Sequence, residues 1–427
     1  MRVVHLSTYH LNGGAAVAAT RLHRALLKHP DVDSTMLVGI PARLEPHQAE
    51  PGVVYLADNF LSEQMAFGRF VAERLYFLAF EKDKAARFKF SPAWSGAGLS
   101  FHPIIQQADV LHLHWINFGF LSLDELESLF ALGKPIVWTL HDTWAFTGGC
   151  HYPRGCDRFL THCGQCPYLR QPGERDLSYR LFGRKKAILA DVPIYVTPPS
   201  RWLADEAMRS PLLRNKQFSV IPYAIDQDVF RPVPDMPYLQ DTAYLRTNNQ
   251  PTLLFGSASL TDPRKGFSYF AEALTLLKDR LPDSIQPEVL VFGKGTVYQL
   301  GDLSYPVRHL GVLTDEDQLV AAYNGADAMV VPSLEDNLPN TVIEALACGT
   351  PVIAFRTGGI PEMIDHTQNG YLADVGSAEQ LADGLYWLLT HPDLARLRQN
   401  ARQSAEERFS EPVVAGQFYD LYRSLLQ

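Results

Sequence analysis

The amino-acid sequence predicts an α/β fold made of two doubly wound parallel-sheet domains. Short apolar runs alternate with segments of helical period, which is typical of parallel sheets that are covered by helices on both faces. This rhythm stops within 223–250, where Pro, Asp and Asn are frequent, and then restarts. With 427 residues, the chain is also too long for one core at about 150 residues per domain. We therefore predict two domains joined by a linker at 223–250.

The composition excludes several functional classes. The chain is 46% hydrophobic and 20% charged, as expected for a folded globular protein. Its formal net charge of −9 provides no basic surface for nucleic acid. The N-terminal residues resemble a strand rather than a signal peptide, and no run approaches the roughly 18 apolar residues that a membrane span needs. We expect a cytoplasmic protein without a nucleic-acid partner.

The predicted N-terminal domain covers 1–222. It begins with a strand at 2–7, a Gly13-Gly14 turn and a helix whose apolar residues recur at helical period. Further predicted strands lie at 34–39, 108–115, 134–142 and 194–199.

The predicted C-terminal domain covers 251–409. The pattern predicts strands near 251–260, 288–293, 307–311, 327–333, 351–355 and 370–374, with helices between most of them. A last amphipathic helix at 410–427 is predicted to pack across the junction of the two domains.

Ligands of open parallel sheets bind beyond the carboxyl ends of the strands, so two such domains facing each other are expected to enclose a cleft. Gly13 and Gly14 open a helix after a strand, which suits either an anion site or a plain tight turn. His141 ends a predicted strand, where we favour a functional role over a core role. His112 and His114 share one side of a strand, and for them we favour the core.

Arg264 and Lys265 lie directly before a predicted helix. Two cations at a helix N-terminus oppose the helix dipole, and a bound anion would remove this conflict. Arginine and lysine are the usual partners of phosphate oxygens. We therefore predict an anion site here, with a solvated loop as the alternative.

The segment PSLEDNLPNTVIEALACGTPV (332–352) concentrates acidic residues after a buried strand. Glu335 and Asp336 fall on the loop, and Glu344 falls inside a helix that Asn337 is predicted to cap. A capped core helix with one favourable acidic residue explains one carboxylate but not three. We therefore predict that this segment is one wall of a binding site.

The same segment resembles the signature of the family-4 retaining glycosyltransferases of the GT-B fold. Their pattern is a strand ending in P-S, then E-x7-E, whose second Glu is also the first residue of E-A-x-A-x-G-x-P-V. Asp336 occupies the first acidic position with Glu335 beside it, and Glu344 occupies the second. The sequence around TLHDTWAFTGGCHY (139–152) is similar to enzymes of bacterial exopolysaccharide and colanic-acid-type clusters.

The resemblance implies a role for each matching residue. Glu344 is expected to bind the ribose of a nucleotide-sugar donor, and Asp336 or Glu335 to bind hydroxyls of the donor sugar. Arg264 and Lys265 are expected to neutralise the diphosphate. The remaining donor contacts are expected from the helix start and the first domain: Leu338, Asn340, Thr341, Gly13, Gly14 and, near the anomeric centre, His141.

The implied activity is transfer of a sugar from a UDP- or GDP-sugar to a saccharide or lipid-linked saccharide, with retention and without a catalytic cofactor. A nucleotide-sugar epimerase of the same architecture and a non-catalytic nucleotide-sugar-binding subunit remain alternatives. The aromatic and basic segment 60–90 either packs on its own domain, which we favour, or contacts the membrane surface peripherally.

Four of the five cysteines fall in a Cys-rich loop at 148–168. Cys150, Cys156, Cys163 and Cys166 are spaced C-x5-C-x6-C-x2-C. We favour a structural zinc site, with disulfides and free thiols as alternatives. The expected reducing compartment disfavours disulfides.

Overall fold

The computed structural model describes residues 1–40, 50–233, 250–296 and 303–427. Most of the predicted linker, 234–249, lies outside the described residues. The chain divides into two compact units. The N-terminal unit comprises Met1–Pro222 with Val414–Gln427, and the C-terminal unit comprises Tyr223–Val413.

A parallel sheet forms the centre of the N-terminal unit. Among the described residues its strand order is β3-β2-β1-β4-β5-β6-β7. The strands are β1 Arg2–Ser7, β2 Asp33–Val38, β3 Val53–Tyr55, β4 Val110–Leu113, β5 Ile136–Thr139, β6 Ile194–Thr197 and β7 Gln217–Phe218. The sequence analysis did not predict the edge strands β3 and β7, because runs of three and two residues have no readable period.

Helices cover this sheet, and side-chain oxygens cap several of them. Ser122 accepts the Glu125 N–H at the start of α4, and Ser200 accepts the Leu203 N–H at the start of α6. The helices are α1 Gly14–Leu27, α2 Phe60–Leu78, α3 Pro103–Gln107, α4 Leu123–Phe130, α5 Leu177–Leu189 and α6 Arg201–Arg209. The last helix, α12 Glu411–Leu425, belongs to this unit from Val414 onwards.

The terminal helix α12 packs against the N-terminal sheet. Phe418 and Tyr422 are buried, and the Tyr422 hydroxyl lies 2.7 Å from Nδ1 of His112 on β4. This buried polar contact ties the last helix to a central strand of the unit.

The C-terminal unit contains a second parallel sheet, whose described strands run in the order β10-β9-β8-β11-β12-β13. The strands are β8 Thr252–Ser259, β9 Glu288–Lys294, β10 Val307–His309, β11 Ala328–Val331, β12 Val352–Phe355 and β13 Gly370–Ala373. The helices are α7 Phe267–Lys278, α8 Glu316–Gly325, α9 Asn340–Ala347, α10 Ala378–Leu389 and α11 Leu394–Phe409.

The two sheets confirm the predicted pair of doubly wound α/β domains. In each sheet the strand order reverses direction once, between β1 and β4 in the first unit and between β8 and β11 in the second. Ligands of such sheets bind at this switch point, beyond the carboxyl ends of the strands. No described helix is long and apolar enough to cross a membrane.

Candidate functional site

The switch point of the C-terminal unit brings two predicted site residues together. Lys265 follows β8 and Asp336 follows β11, and Nζ of Lys265 lies 2.5 Å from Oδ2 of Asp336. Both side chains are largely buried, with 23% and 10% of their surface exposed. Two charges in such a partly buried place attract each other more strongly than they would in bulk water.

Glycine permits the close packing of these two loops. Gly266 adopts a left-handed conformation with φ of 67°, and a Cβ atom there would lie 1.8 Å from the Pro332 carbonyl oxygen. The N–H of Leu334 donates to the carbonyl oxygen of Arg264 at 2.7 Å, which joins the loops directly. The backbone therefore sets the position of Lys265.

The structure distinguishes the two neighbouring loop carboxylates. Asp336 is buried, and its Oδ1 accepts the N–H of Asn337 at 3.1 Å. Glu335 is half-buried, and its carbonyl oxygen lies 3.5 Å from Nη1 of Arg264. Asp336 is thus the carboxylate that holds Lys265.

Arg264 contacts a carboxylate that the sequence analysis did not single out. Its Nη2 donates to Oδ2 of Asp262 at 2.8 Å, and Asp262 also accepts the backbone N–H of Arg264. About a fifth of the Arg264 side chain is exposed. Its guanidinium is already paired with Asp262. The predicted pair of cations is therefore present, each with its own acidic partner.

Glu344 lies in α9 and is buried, 4% exposed. The Tyr323 hydroxyl of α8 donates to its Oε2 at 2.6 Å. A buried carboxylate requires such a donor, because an unpaired charge in the interior is costly. The sequence analysis missed Tyr323, since it comes from a separate helix and matches no motif.

The start of α9 differs from the prediction. The helix begins at Asn340 with Pro339 in the preceding position, where no side-chain cap is formed. The prediction of Asn337 as the N-cap is therefore wrong, because Leu338 and Pro339 remain outside the helix. Leu338 is buried, whereas Asn340 and Thr341 are half-buried at the helix start.

At the switch point of the N-terminal unit, Gly13 and Gly14 form the start of α1. Gly13 has φ of 96°, both glycines are exposed, and no heavy atom would lie within 4 Å of a Cβ atom at Gly13. The left-handed backbone explains this glycine, and the open space beside it leaves room for a ligand.

His141 follows β5 and belongs to a chain of imidazoles. Its Nε2 lies 3.2 Å from Nδ1 of His114, and Nε2 of His114 lies 3.0 Å from Nδ1 of His5 on β1. Burial lowers the pKa of His141 to about 4, so its ring is neutral near pH 7.

His112 lies on β4, two residues before His114, and its ring packs against that of His114. Nitrogen atoms of His5, His112 and His114 all lie within 4.8 Å of one another, a separation that metal ligands also show. Both nitrogens of His112 already have partners, Tyr422 and Thr139, each at 2.7 Å. We therefore interpret the cluster as a hydrogen-bond network rather than a metal site.

A second histidine near this strand end was not predicted. Nδ1 of His151 lies 2.7 Å from Oδ2 of Asp142, which also accepts the indole N–H of Trp115 at 2.9 Å. Interaction with His151 holds the pKa of Asp142 below its usual value despite burial. The adjacent HD dipeptide at 141–142 was the available signal for Asp142.

The cysteines of the loop at 148–168 are all free thiols, and Cys163 and Cys166 are buried. Burial raises the pKa of Cys163 to about 11 and that of Cys166 to about 12. Cys150, Cys156, Cys163 and Cys166 line one cavity of about 20 Å³.

Comparison with known proteins finds a family match within the C-terminal unit. Residues 250–391 match the family described as Glycosyl transferases group 1. The chain is 28% identical over 270 residues to a colanic acid biosynthesis glycosyl transferase, WcaC, of Escherichia coli, covering 61% of this chain and 62% of the relative. It is 29% identical over 216 residues to D-inositol 3-phosphate glycosyltransferase of Corynebacterium jeikeium, covering 48% of this chain and 51% of that protein. The chain thus spans less than two thirds of either relative.

Solved structures share the fold at low sequence identity. Sucrose-phosphate synthase from Thermosynechococcus elongatus has a TM-score of 0.62 at 20% identity, covering 100% of this chain and 99% of that one. HepE of Anabaena, solved in complex with UDP, has a TM-score of 0.62 at 15% identity, covering 99% of this chain and 100% of that one. These likenesses confirm the predicted GT-B fold class. Residues 250–391 are therefore a domain of the group 1 glycosyltransferases, the family-4-like group that the 332–352 segment resembles.

Proposed function

We propose that this chain transfers a sugar from a nucleotide-sugar donor to a saccharide or lipid-linked saccharide, with retention of the anomeric configuration. The observation that carries this proposal is the Lys265–Asp336 pair, which lies at the switch point inside the group 1 domain. The curated relatives named above are glycosyltransferases by their descriptions, which supports the same class of activity here.

Lys265 and Arg264 neutralise the diphosphate in this proposal. Negative charge builds up on phosphate oxygens as the sugar leaves, and fixed cations in a partly buried site stabilise that charge. The open N-terminus of α9 adds backbone N–H groups from Asn340 and Thr341. These groups supply the positive charge, so the proposed reaction includes no metal cofactor.

In this proposal the carboxylates bind the uncharged ribose and sugar of the donor. Glu344 accepts hydrogen bonds from the ribose, with Tyr323 holding the carboxylate in place. Asp336 accepts from the sugar hydroxyls while it positions Lys265, and Glu335 is the neighbouring alternative. Comparing Asp336→Asn with Glu335→Gln decides between them, because the essential carboxylate gives the larger rise in the KM of the donor.

His141 contributes a neutral imidazole close to the anomeric centre, and Gly13 and Gly14 admit the donor close to the backbone. Retention then results from attack of the acceptor on the same face that the diphosphate leaves. The anomeric configuration of the product, measured by NMR coupling constants, tests this step. An inverted product contradicts it.

One face of α2 packs on its own unit, where Ala66, Glu73, Arg74 and Phe77 are buried. We also propose that its other face rests on the membrane that carries a lipid-linked acceptor. Its Phe60, Leu61, Met65, Phe67 and Leu75 are more than half exposed. Basic residues follow at 82–89, which suits an anionic surface. Flotation with anionic vesicles should retain the protein, and Phe60→Ser with Phe67→Ser should release it; equal retention of both proteins contradicts the contact.

The activity is tested by incubating the protein with UDP-, GDP- and ADP-sugars, with and without lipid-linked oligosaccharide. UDP-sugars come first, because the fold relative HepE holds UDP. Nucleoside diphosphate release that depends on the acceptor supports a transferase. A donor that isomerises without acceptor indicates an epimerase, and binding without turnover indicates a non-catalytic subunit.

Glu344→Gln provides the matched variant for this assay, since it keeps the shape of the side chain but loses its charge. Glu272→Gln on the exposed surface of α7 is the control. We expect Glu344→Gln to weaken donor binding about tenfold or more, as expected for a charged hydrogen bond. Unchanged turnover in Glu344→Gln would overturn the assignment of the donor site.

A further inference from the structure

Four cysteines of the N-terminal unit converge on one small cavity. Cys150, Cys156, Cys163 and Cys166 all line it, together with the backbone of several glycines. Its free volume is about 20 Å³, enough for about one water molecule or ion. Cys163 and Cys166 are buried and the other two are half-buried, so the cavity lies at the inner end of the loop.

The backbone next to Cys156, Cys163 and Cys166 contains residues with positive φ. Gly164 and Gln165, between Cys163 and Cys166, have φ of 153° and 47°. Arg154 and Gly155, directly before Cys156, have φ of 50° and 77°. A non-glycine residue in this region costs on the order of 1 kcal/mol or more, so the loop stores strain at both turns that present a sulfur atom.

Backbone donors point at two of the sulfur atoms. The N–H of Gly148 donates to Sγ of Cys163 at 3.1 Å, and a backbone hydrogen bond from Tyr168 reaches Cys166. Such donors favour a sulfur atom that carries negative charge.

A buried lysine side chain lies next to the cluster. The Lys185 ammonium donates to the carbonyl oxygens of Trp144 and Thr147 at 2.5 and 3.1 Å, and it interacts electrostatically with Cys163 and Cys150. A buried ammonium without a carboxylate hydrogen-bonded to it is costly. Negative charge on the neighbouring sulfur atoms would offset that cost.

We propose that Cys150, Cys156, Cys163 and Cys166 bind one structural Zn²⁺ ion. Each thiol loses its proton on binding, and four thiolates with one Zn²⁺ carry a net charge of −2, which Lys185 and the two N–H donors face. Four protein ligands leave no open position, so the site is structural rather than catalytic.

The sulfur atoms must move slightly to bind the ion. No three of the four, all of them described residues, lie within 4.8 Å of one another, whereas a Zn–S distance of about 2.3 Å places tetrahedral ligands roughly 3.8 Å apart. In the proposed site, rotation about the Cα–Cβ bonds brings the sulfur atoms towards the cavity that all four residues line.

The proposed ion would bind a segment with little regular secondary structure. Between 142 and 176, all of which are described, the regular structure consists of two 3-10 turns, Trp144–Phe146 and Arg158–Leu160. Residues of the segment already pack into the core of the unit, among them Phe146, Phe159 and Cys163. An ion bound by four cysteines would add cross-links between turns that regular secondary structure does not join.

The experiment measures zinc in the full-length protein after chelator-washed purification, by mass spectrometry of the metal. We expect about one zinc per chain, and Cys163→Ser or Cys166→Ser should lower the content several-fold. Cys348→Ser, a buried cysteine of the C-terminal unit, should keep the zinc. Because a cysteine variant can fail to fold, the wild-type protein is also titrated with a mercurial reagent, which should release zinc in step with four thiols.

Cobalt substitution of the wild-type protein gives a second, spectroscopic test of the site. Tetrahedral thiolate coordination produces strong visible ligand-field and charge-transfer bands, which the Cys348→Ser protein should also show. The proposal is overturned by a zinc-free wild-type protein with five reactive thiols. A Cys163–Cys166 disulfide in protein alkylated without reductant also overturns it. Neither the zinc measurement nor the cobalt spectrum requires transferase activity. Failure of the zinc proposal is therefore separate from failure of the proposed function.

Discussion

The two switch points of this molecule are built from opposite chemistry. In the N-terminal unit, His5, His114 and His141 form a chain of neutral rings, since burial lowers the pKa of each. In the C-terminal unit, the same place in the fold holds the ionised pair Lys265 and Asp336. The first arrangement is neutral and the second is charged, so the same place in the fold has different electrostatics in the two units.

The largest effect should come from acidifying the histidine side of this comparison. The pKa of His141 is about 4 in the folded protein, despite the nearby Asp142, and about 6.5 when unfolded. The unfolded state therefore binds more protons between these values, and His5, His112 and His114 shift in the same direction.

We expect full stability above pH 6.5 and a loss as the pH falls towards 4, with a slope of up to about 1.4 kcal/mol per pH unit for each such histidine. Denaturant unfolding at pH 7.5 and 5.5 measures this change in the free energy of unfolding. Tryptophan fluorescence reports on the N-terminal unit, because five of the six tryptophans lie there. Equal stability at the two pH values would contradict the neutral-histidine network.

Removal of the cation tests the charged side of the comparison. Lys265→Ala should lower kcat by about 10²–10³, the usual effect of deleting one group that stabilises an oxyanion. Lys278→Ala, exposed in the last turn of α7, is the control and should leave the rate unchanged. A similar kcat in Lys265→Ala and wild-type protein would show that the ammonium does not face the leaving diphosphate.

Gly266→Ala tests whether backbone packing positions that cation. The left-handed φ and the 1.8 Å approach to the Pro332 carbonyl oxygen both exclude a Cβ atom. We expect a loss of about 2–3 kcal/mol in the free energy of unfolding, from strain at φ above zero and displacement of β11. Gly183→Ala, in α5 with open space around it, should be neutral or stabilising in the same denaturation assay.

The smallest effects should come from two matched hydroxyl deletions. Tyr422→Phe removes the partner of Nδ1 of His112, and Tyr323→Phe removes the donor to Glu344. We expect each to cost about 1–2 kcal/mol. The first should appear as lost stability, whereas the second should appear mainly as weaker UDP binding in calorimetry. If both variants change stability alone, Tyr323 has no role in orienting the carboxylate.

The architecture was largely predictable, because buried parallel strands are visible as uniform apolar runs. The central strands β4, β5, β11 and β12 are fully buried and were each predicted. The edge strands β3 and β7 were not, since their pairing depends on neighbours rather than on their own residues.

Parts of the candidate site were also predictable from the sequence, because its residues lie on loops that directly follow predicted strands. Asp336 and Lys265 are 71 residues apart and still meet, because both follow adjacent strands of one sheet. The partners that satisfy buried groups, such as Tyr323 for Glu344 and His151 for Asp142, matched no pattern, because any nearby donor can fill that role.

The sequence by itself determined the two α/β domains, the carboxylate and lysine loops at strand ends, and the cysteine spacing, because periodicity and local motifs depend on neighbouring residues. The tertiary structure alone decided which of Glu335 and Asp336 holds Lys265 and where α9 begins. It also decided that His5, His114 and His141 form one chain. Those outcomes depend on distances between segments far apart in the chain, which strand order and register set and no local pattern records.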